Sequence, residues 1–162
     1  MSEPTQDTNG TQDGARQRPL TLVMPVISPV HAAALRQTIE ELAASPENPV
    51  AAALDALHSV HFARFVLLEN DTRLAVITSY DGERDRYIME FIDVLGPVFD
   101  KLLACVEGAP PTPVQQHRED FVKYVAEHDV ASIGAFYSAY PDLAVNDILA
   151  LRPSATAGVG AC

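Results

Sequence analysis

His58 and His61 stand three residues apart at the head of the most reactive-looking stretch of the chain. An imidazole titrates near neutral pH, so each is a candidate general base or a ligand to haem or a metal ion. The alternative is a loop histidine beside a strand-start histidine bonded to backbone. Arg64 follows among Phe62, Ala63, Phe65 and Val66. A guanidinium buried in apolar company needs an anion. That anion is either a ligand carboxylate or an internal partner such as Glu69, Asp81 or Asp85. Tyr80-Asp81 reads as a proton-transfer pair at a pocket rim, or as Asp-Gly turn chemistry with Asp81 capping a helix. Tyr137 and Tyr140 either line a cavity or pack with their hydroxyls at the surface. His117 and His128 read as surface or core histidines, and Met24 and Met89 as core filling.

Other chemistries lack their residues. The chain has no Gly-rich phosphate loop, no His-Glu-x-x-His and no Gly-x-Ser-x-Gly elbow. Its two cysteines, Cys105 and Cys162, have no metal-type spacing and suggest no disulfide framework. Cys105 lies in an apolar stretch read as helix, without the electropositive setting of a nucleophile.

The elements that must position these residues follow from pattern. Leu20 to Ser28 is apolar and β-branched, a strand that Pro25 assigns to an edge or bulge. Ser28-Pro29 is an N-cap followed by a first-turn proline, opening a helix to about residue 45 with Leu35, Ile39 and Leu42 inward. Val50 to Leu57 is a short second helix. Val60–Glu69 and Leu74–Tyr80 form a hairpin around Asn70-Asp71-Thr72. A long helix starts near Glu83, with Ile88, Phe91, Ile92, Leu95, Phe99 and Leu102 at helical spacing and a kink expected at Pro97. Gly108 ends it. A helix from Arg118 to Val130 follows, then a fourth strand over Ala131–Ser138 and a last helix after Pro141-Asp142. The order is α+β, a ferredoxin-like split β-α-β antiparallel sheet with a helical insertion before the last strand.

Strict alternation divides 61–68 into His61, Ala63, Phe65, Leu67 and Phe62, Arg64, Val66, Leu68. Both sets are mostly apolar, as are those of 74–80. Helices cover one face of such a sheet, so the other needs a cover: a second copy, a small molecule or a partner domain. A homodimer is the expectation.

Composition bounds the rest. The chain has 162 residues, 48% hydrophobic and 20% charged, which suits one folded domain. No apolar run reaches the roughly 20 residues of a membrane span. Eleven basic against 22 acidic residues give a net charge of −11, which argues against nucleic acid and anionic membranes. Residues 1–19 read as a disordered polar lead, 20–151 as one domain and 152–162 as a flexible tail. With no signal-peptide pattern, a cytoplasmic location is expected.

The order of elements over residues 20–151 resembles the dimeric α+β barrel superfamily. That group includes antibiotic-biosynthesis-type monooxygenases, chlorite-dismutase-like haem proteins and dye-decolourising peroxidases. The residues that carry the resemblance are His61-Phe-Ala-Arg64 and Thr78-Ser-Tyr-Asp81-Gly82. Asp81-Gly82 is similar to the second half of the Gly-x-x-Asp-Gly motif of the dye-decolourising peroxidases, whose acid works on the distal side of haem. Thr78 occupies the place of the first glycine, and this chain holds one ferredoxin-like unit where those peroxidases have two. The resemblance implies a dimeric barrel with either no cofactor or haem, His58 or His61 being the candidate ligand. Two functions follow. The first is a small-molecule-binding, oxidoreductase-like protein of peroxidase or monooxygenase kind. Its apolar pocket on the open sheet face uses Tyr80 and Asp81 catalytically and His61, Arg64 and Tyr137 to bind an apolar or aromatic ligand. The second is a non-catalytic dimerisation or docking module associated with a peroxidase-like enzyme.

Overall fold

The structure is a computed structural model and describes residues 17–153. The expectations for residues 1–16 and 154–162, Cys162 among them, lie outside the described residues. Strand β1 (Gln17–Pro25) is followed by helices α1 (Pro29–Ala44) and α2 (Pro49–Leu57). The hairpin of β2 (Val60–Leu68) and β3 (Arg73–Asp81) leads into α3 (Arg84–Leu103). A 3-10 turn (Val114–Gln116), α4 (Arg118–His128) and α5 (Val145–Ala150) complete the order. The sheet is antiparallel with spatial order β1-β3-β2, so β3 lies between two strands that run the same way. This is a split β-α-β arrangement in an α+β protein.

Local chemistry explains the elements. The Ser28 hydroxyl accepts from His31 N–H and Pro29 opens the first turn, fixing where α1 begins. Asn48 does the same for α2 through Ala51 N–H. Inside α3, Pro97 has no N–H for the carbonyl of Asp93. The Gln115 amide donates to the carbonyls of Ile92 (3.3 Å) and Asp93 (3.4 Å) in its place. It can come that close because residue 96 is glycine: a Cβ there would stand 2.8 Å from Gln115 Cγ.

The core lies on one face of the sheet. Leu20, Leu22 and Met24 of β1 and Leu74, Val76 and Tyr80 of β3 pack against Leu35 of α1, the inward stripe of α3 and Phe121 of α4. Each fully buried Leu or Phe contributes about 1.5–3 kcal/mol. An aromatic row crosses this layer. Tyr80 stacks on Tyr87 at 4.1 Å, and Tyr87, Phe91, Phe99 and Phe121 follow at 5.9, 4.7 and 5.8 Å.

Four expectations need correction. Strand β1 starts at Gln17, inside the stretch read as a lead, and Gln17 is buried. Helix α3 stops at Leu103, because the chain beyond it turns to pair with β1. Val106 bridges Val26, and Glu107 N–H donates to Pro25 O at 2.8 Å. Cys105 therefore lies past the helix, and burial pushes its thiol up, away from nucleophilic use. The fourth strand is absent over 131–138 among the described residues. The chain leaving α4 makes a single bridge, Asp129 to Leu22, with Val130 N–H on Thr21 O at 2.8 Å. Continuing antiparallel along β1, the next outward-facing residue is Pro19, which has no N–H to offer. The chain departs there as an extended arm (131–144) that crosses to the other face of the sheet.

Candidate functional site

That other face carries Pro19, Thr21 and Val23 of β1, Ala75, Ile77 and Ser79 of β3, and Phe62, Arg64 and Val66 of β2, by their register. The pairing of β2 shifts between Val60 and Phe62: Val60 lies opposite Tyr80 and Phe62 opposite Ser79. His61 is thus the extra residue of a β-bulge. Strict alternation groups His61 with the core-facing Ala63, Phe65 and Leu67. The bulge breaks that alternation and brings His61 to Asp81 at the end of β3.

The arm is fastened over this end of the sheet by two buried anchors. The first is Gln17. Its amide donates to the carbonyls of Tyr140 and Leu143, each at 3.2 Å, and its Oε1 accepts from the Ser138 hydroxyl at 2.9 Å. The second is the pair His61–Asp81. His61 Nε2 lies 2.7 Å from Asp81 Oδ1, and Asp81 Oδ2 accepts from Val145 N–H at 2.8 Å, so α5 is held to the end of β3. A carboxylate on one ring nitrogen fixes the imidazole's orientation and leaves Nδ1 as the basic nitrogen. The His61 side chain is only 4% exposed.

Between arm and sheet lies a groove of about 800 Å³. Phe62, Tyr137, Leu54 and Ile148 form apolar walls, and His61 and Ser79 also face it. Phe62 is 77% and Tyr137 85% exposed, unusual for rings that could pack elsewhere. A second cleft, of about 570 Å³, lies beyond Asp81. Its walls are charged, with Glu83, Glu90 and Arg86, and Arg86 is held by Glu90 at 2.9 Å.

Of the residues singled out by type and spacing, His58, His61 and Tyr137 meet at the groove and Asp81 joins them through His61, while Tyr80 lies in the core and Arg64 beside the groove. Tyr80 and Asp81 are neighbours in sequence and lie on opposite faces. Tyr80 is in the core against Tyr87, burial raising its phenol's pKa. They make no proton-transfer pair; the Asp81 carboxylate is taken up by His61 and by Val145 N–H. Arg64 is exposed on the open face, so the expectation of a buried guanidinium is corrected: its strand has apolar neighbours on both sides, but its own face is uncovered. Tyr137 lines the groove. His58 is exposed at the C-terminal cap of α2, in left-handed backbone (φ 53°), and His61 has Nε2 engaged within a nearly closed environment. His61 is a poor fit to a haem because its side chain is only 4% exposed, whereas the His58 imidazole is exposed at the groove, its backbone N–H alone serving the helix cap. Sequence reasoning missed Gln17, a polar residue at the edge of an apolar run, and Arg152, in the groove's wall. The first had a signal, an amide placed directly before an edge strand.

Among the described residues no helix is long and apolar enough to cross a membrane, and no cluster of histidine, cysteine and carboxylates is built to hold a metal ion. The class that fold and site define is an α+β protein with a three-stranded antiparallel sheet and an arm-covered groove on its open face. The chain matches no family model, no curated protein and no solved structure.

Proposed function

We propose that this chain is a small-molecule-binding protein that takes an aromatic ligand in the groove between arm and sheet. The observation that carries this reading is the groove itself: a concave apolar site with exposed rings and a small set of polar groups, His61 and Ser79 among them. In the monooxygenase-like version of this reading, His61, oriented by Asp81, is the group that moves a proton. A neutral aromatic probe, Nile red, tests the binding. We expect saturable fluorescence enhancement that Phe62→Ala weakens, with amide shifts in NMR confined to 60–63 and 136–140. Enhancement insensitive to Phe62, or shifts scattered over the surface, would overturn it.

A second reading rests on a separate observation. Beyond the arm, Val23, Val66 and Ile77 remain half-exposed on the same face. In a ferredoxin-like, dimeric barrel a second copy's sheet closes over that strip. Sedimentation velocity tests it: a dimer is expected, and Val66→Glu should dissociate it.

A further inference from the structure

The arginines of the described residues fall into two groups. Arg18, Arg36, Arg73, Arg84, Arg86 and Arg118 each hold a carboxylate, of Glu83, Asp71, Glu69, Asp85, Glu90 and Asp93. Arg64 and Arg152 hold none. In a chain with 22 acidic and 11 basic residues, a surface guanidinium finds a carboxylate easily, so the two without one stand out. They are far apart in sequence, yet the fold puts Arg152 in the groove's wall and Arg64 beside it, on the strand face of the wall residue Phe62. Arg152 lines it at the end of α5. Arg64 lies two residues beyond Phe62 on the same strand face, about 7 Å away along β2. Asp55 is on the groove's α2 wall and pairs with neither. A planar guanidinium binds carboxylate in bidentate fashion. Such a pair matters here because a chain of net charge −11 repels anions at long range, and a site for one must supply local positive charge.

Resting on the groove reading above, we propose that the ligand is an aromatic anion of the aryl carboxylate class. Its ring lies against Phe62 and Tyr137. Its carboxylate is held by Arg64 and Arg152. The rings supply affinity without discrimination, and the two guanidiniums select for charge.

A matched pair of probes separates the two claims: 1-naphthoate and 1-naphthamide share a ring system and differ in charge. Calorimetric titration of the full chain is expected to give naphthoate at least about tenfold tighter binding than naphthamide. Arg64→Gln and Arg152→Gln should each weaken naphthoate about tenfold and leave naphthamide within about twofold. Lys101→Gln, on α3, should change neither. Both arginines are exposed, so the variants are expected to fold, which far-ultraviolet circular dichroism checks. Equal binding of the two probes, or equal loss of both in the arginine variants, overturns the anion assignment and leaves the groove reading standing. Binding of neither probe overturns both.

Discussion

Nε2 of His61 lies 2.7 Å from Oδ1 of Asp81, joining the extra residue of the β2 bulge to the last residue of β3. The second oxygen of the same carboxylate accepts Val145 N–H. One side chain therefore holds the bulge, the sheet end and α5 together. Asp81→Ala removes both acceptors and leaves a buried imidazole without its partner, a cost of about 2 kcal/mol. Asp81→Asn keeps one oxygen and loses part of that. Hydrogen exchange is the measurement: amides of 145–150 should lose protection strongly in Asp81→Ala and partly in Asp81→Asn, while those of α3 stay protected. Uniform loss over the whole chain would mean that Asp81 holds the global fold and not the arm.

The same pair bears on haem. Iron ligation through Nε2 of His61 would break its bond to Asp81, and ligation through Nδ1, which would keep that bond, still requires opening a side chain that is 4% exposed. His58 caps α2 through its backbone N–H and keeps its imidazole exposed, so the expectation concerns His61 alone. Titration with haemin is expected to give no stoichiometric Soret band that depends on His61. A sharp band lost in His61→Ala would reverse this and make the dyad a ligand-orienting device.

Local signals carried most of the architecture. Ser28-Pro29 marks α1, Asn70-Asp71-Thr72 marks the hairpin turn, and the spacing from Ile88 to Leu102 marks α3. What was hidden depends on distant partners. Ile133 and Phe136 give 131–138 the composition of a strand, but the edge that strand would join is interrupted by Pro19, more than 100 residues earlier. The bulge at His61 has no local marker, because both faces of β2 are apolar and alternation cannot reveal a slip of one residue. Arg64 looked buried for the same reason. The arm's anchors could not be read from sequence either, since Gln17 meets its partners 123 and 126 positions away.

Alkali should weaken the fold through the aromatic row. Burial pushes the Tyr87 phenol up to about 12, with the Thr78 hydroxyl as a smaller opposing influence, and burial does the same to Tyr124. An unfolded tyrosine ionises near 10. Between these values the unfolded chain sheds protons that the folded one keeps. Stability is therefore intact below about pH 10 and falls as pH rises toward about 12. For Tyr87 the slope approaches about 1.4 kcal/mol per pH unit. Urea midpoints measured from about pH 8 to about pH 11 should show the decline, and Tyr87→Phe should flatten it. An unchanged decline in Tyr87→Phe would place the alkaline sensitivity elsewhere.

The proline inside α3 makes a last prediction that is independent of any ligand. Pro97 deprives Asp93 of its helical donor, and the Gln115 amide serves that carbonyl from outside, across the bare Cα of Gly96. Gln115→Ala should then cost about 1 kcal/mol. In a Pro97→Ala background the helix satisfies Asp93 itself, so the same substitution should cost clearly less, through the bond to Ile92 alone. A double-mutant cycle from urea denaturation reads the difference as a coupling between residues 97 and 115. Full additivity would mean that Gln115 merely packs on α3. A coupling of about 0.5 kcal/mol or more would mean that the proline is tolerated because the 3-10 turn delivers a replacement donor.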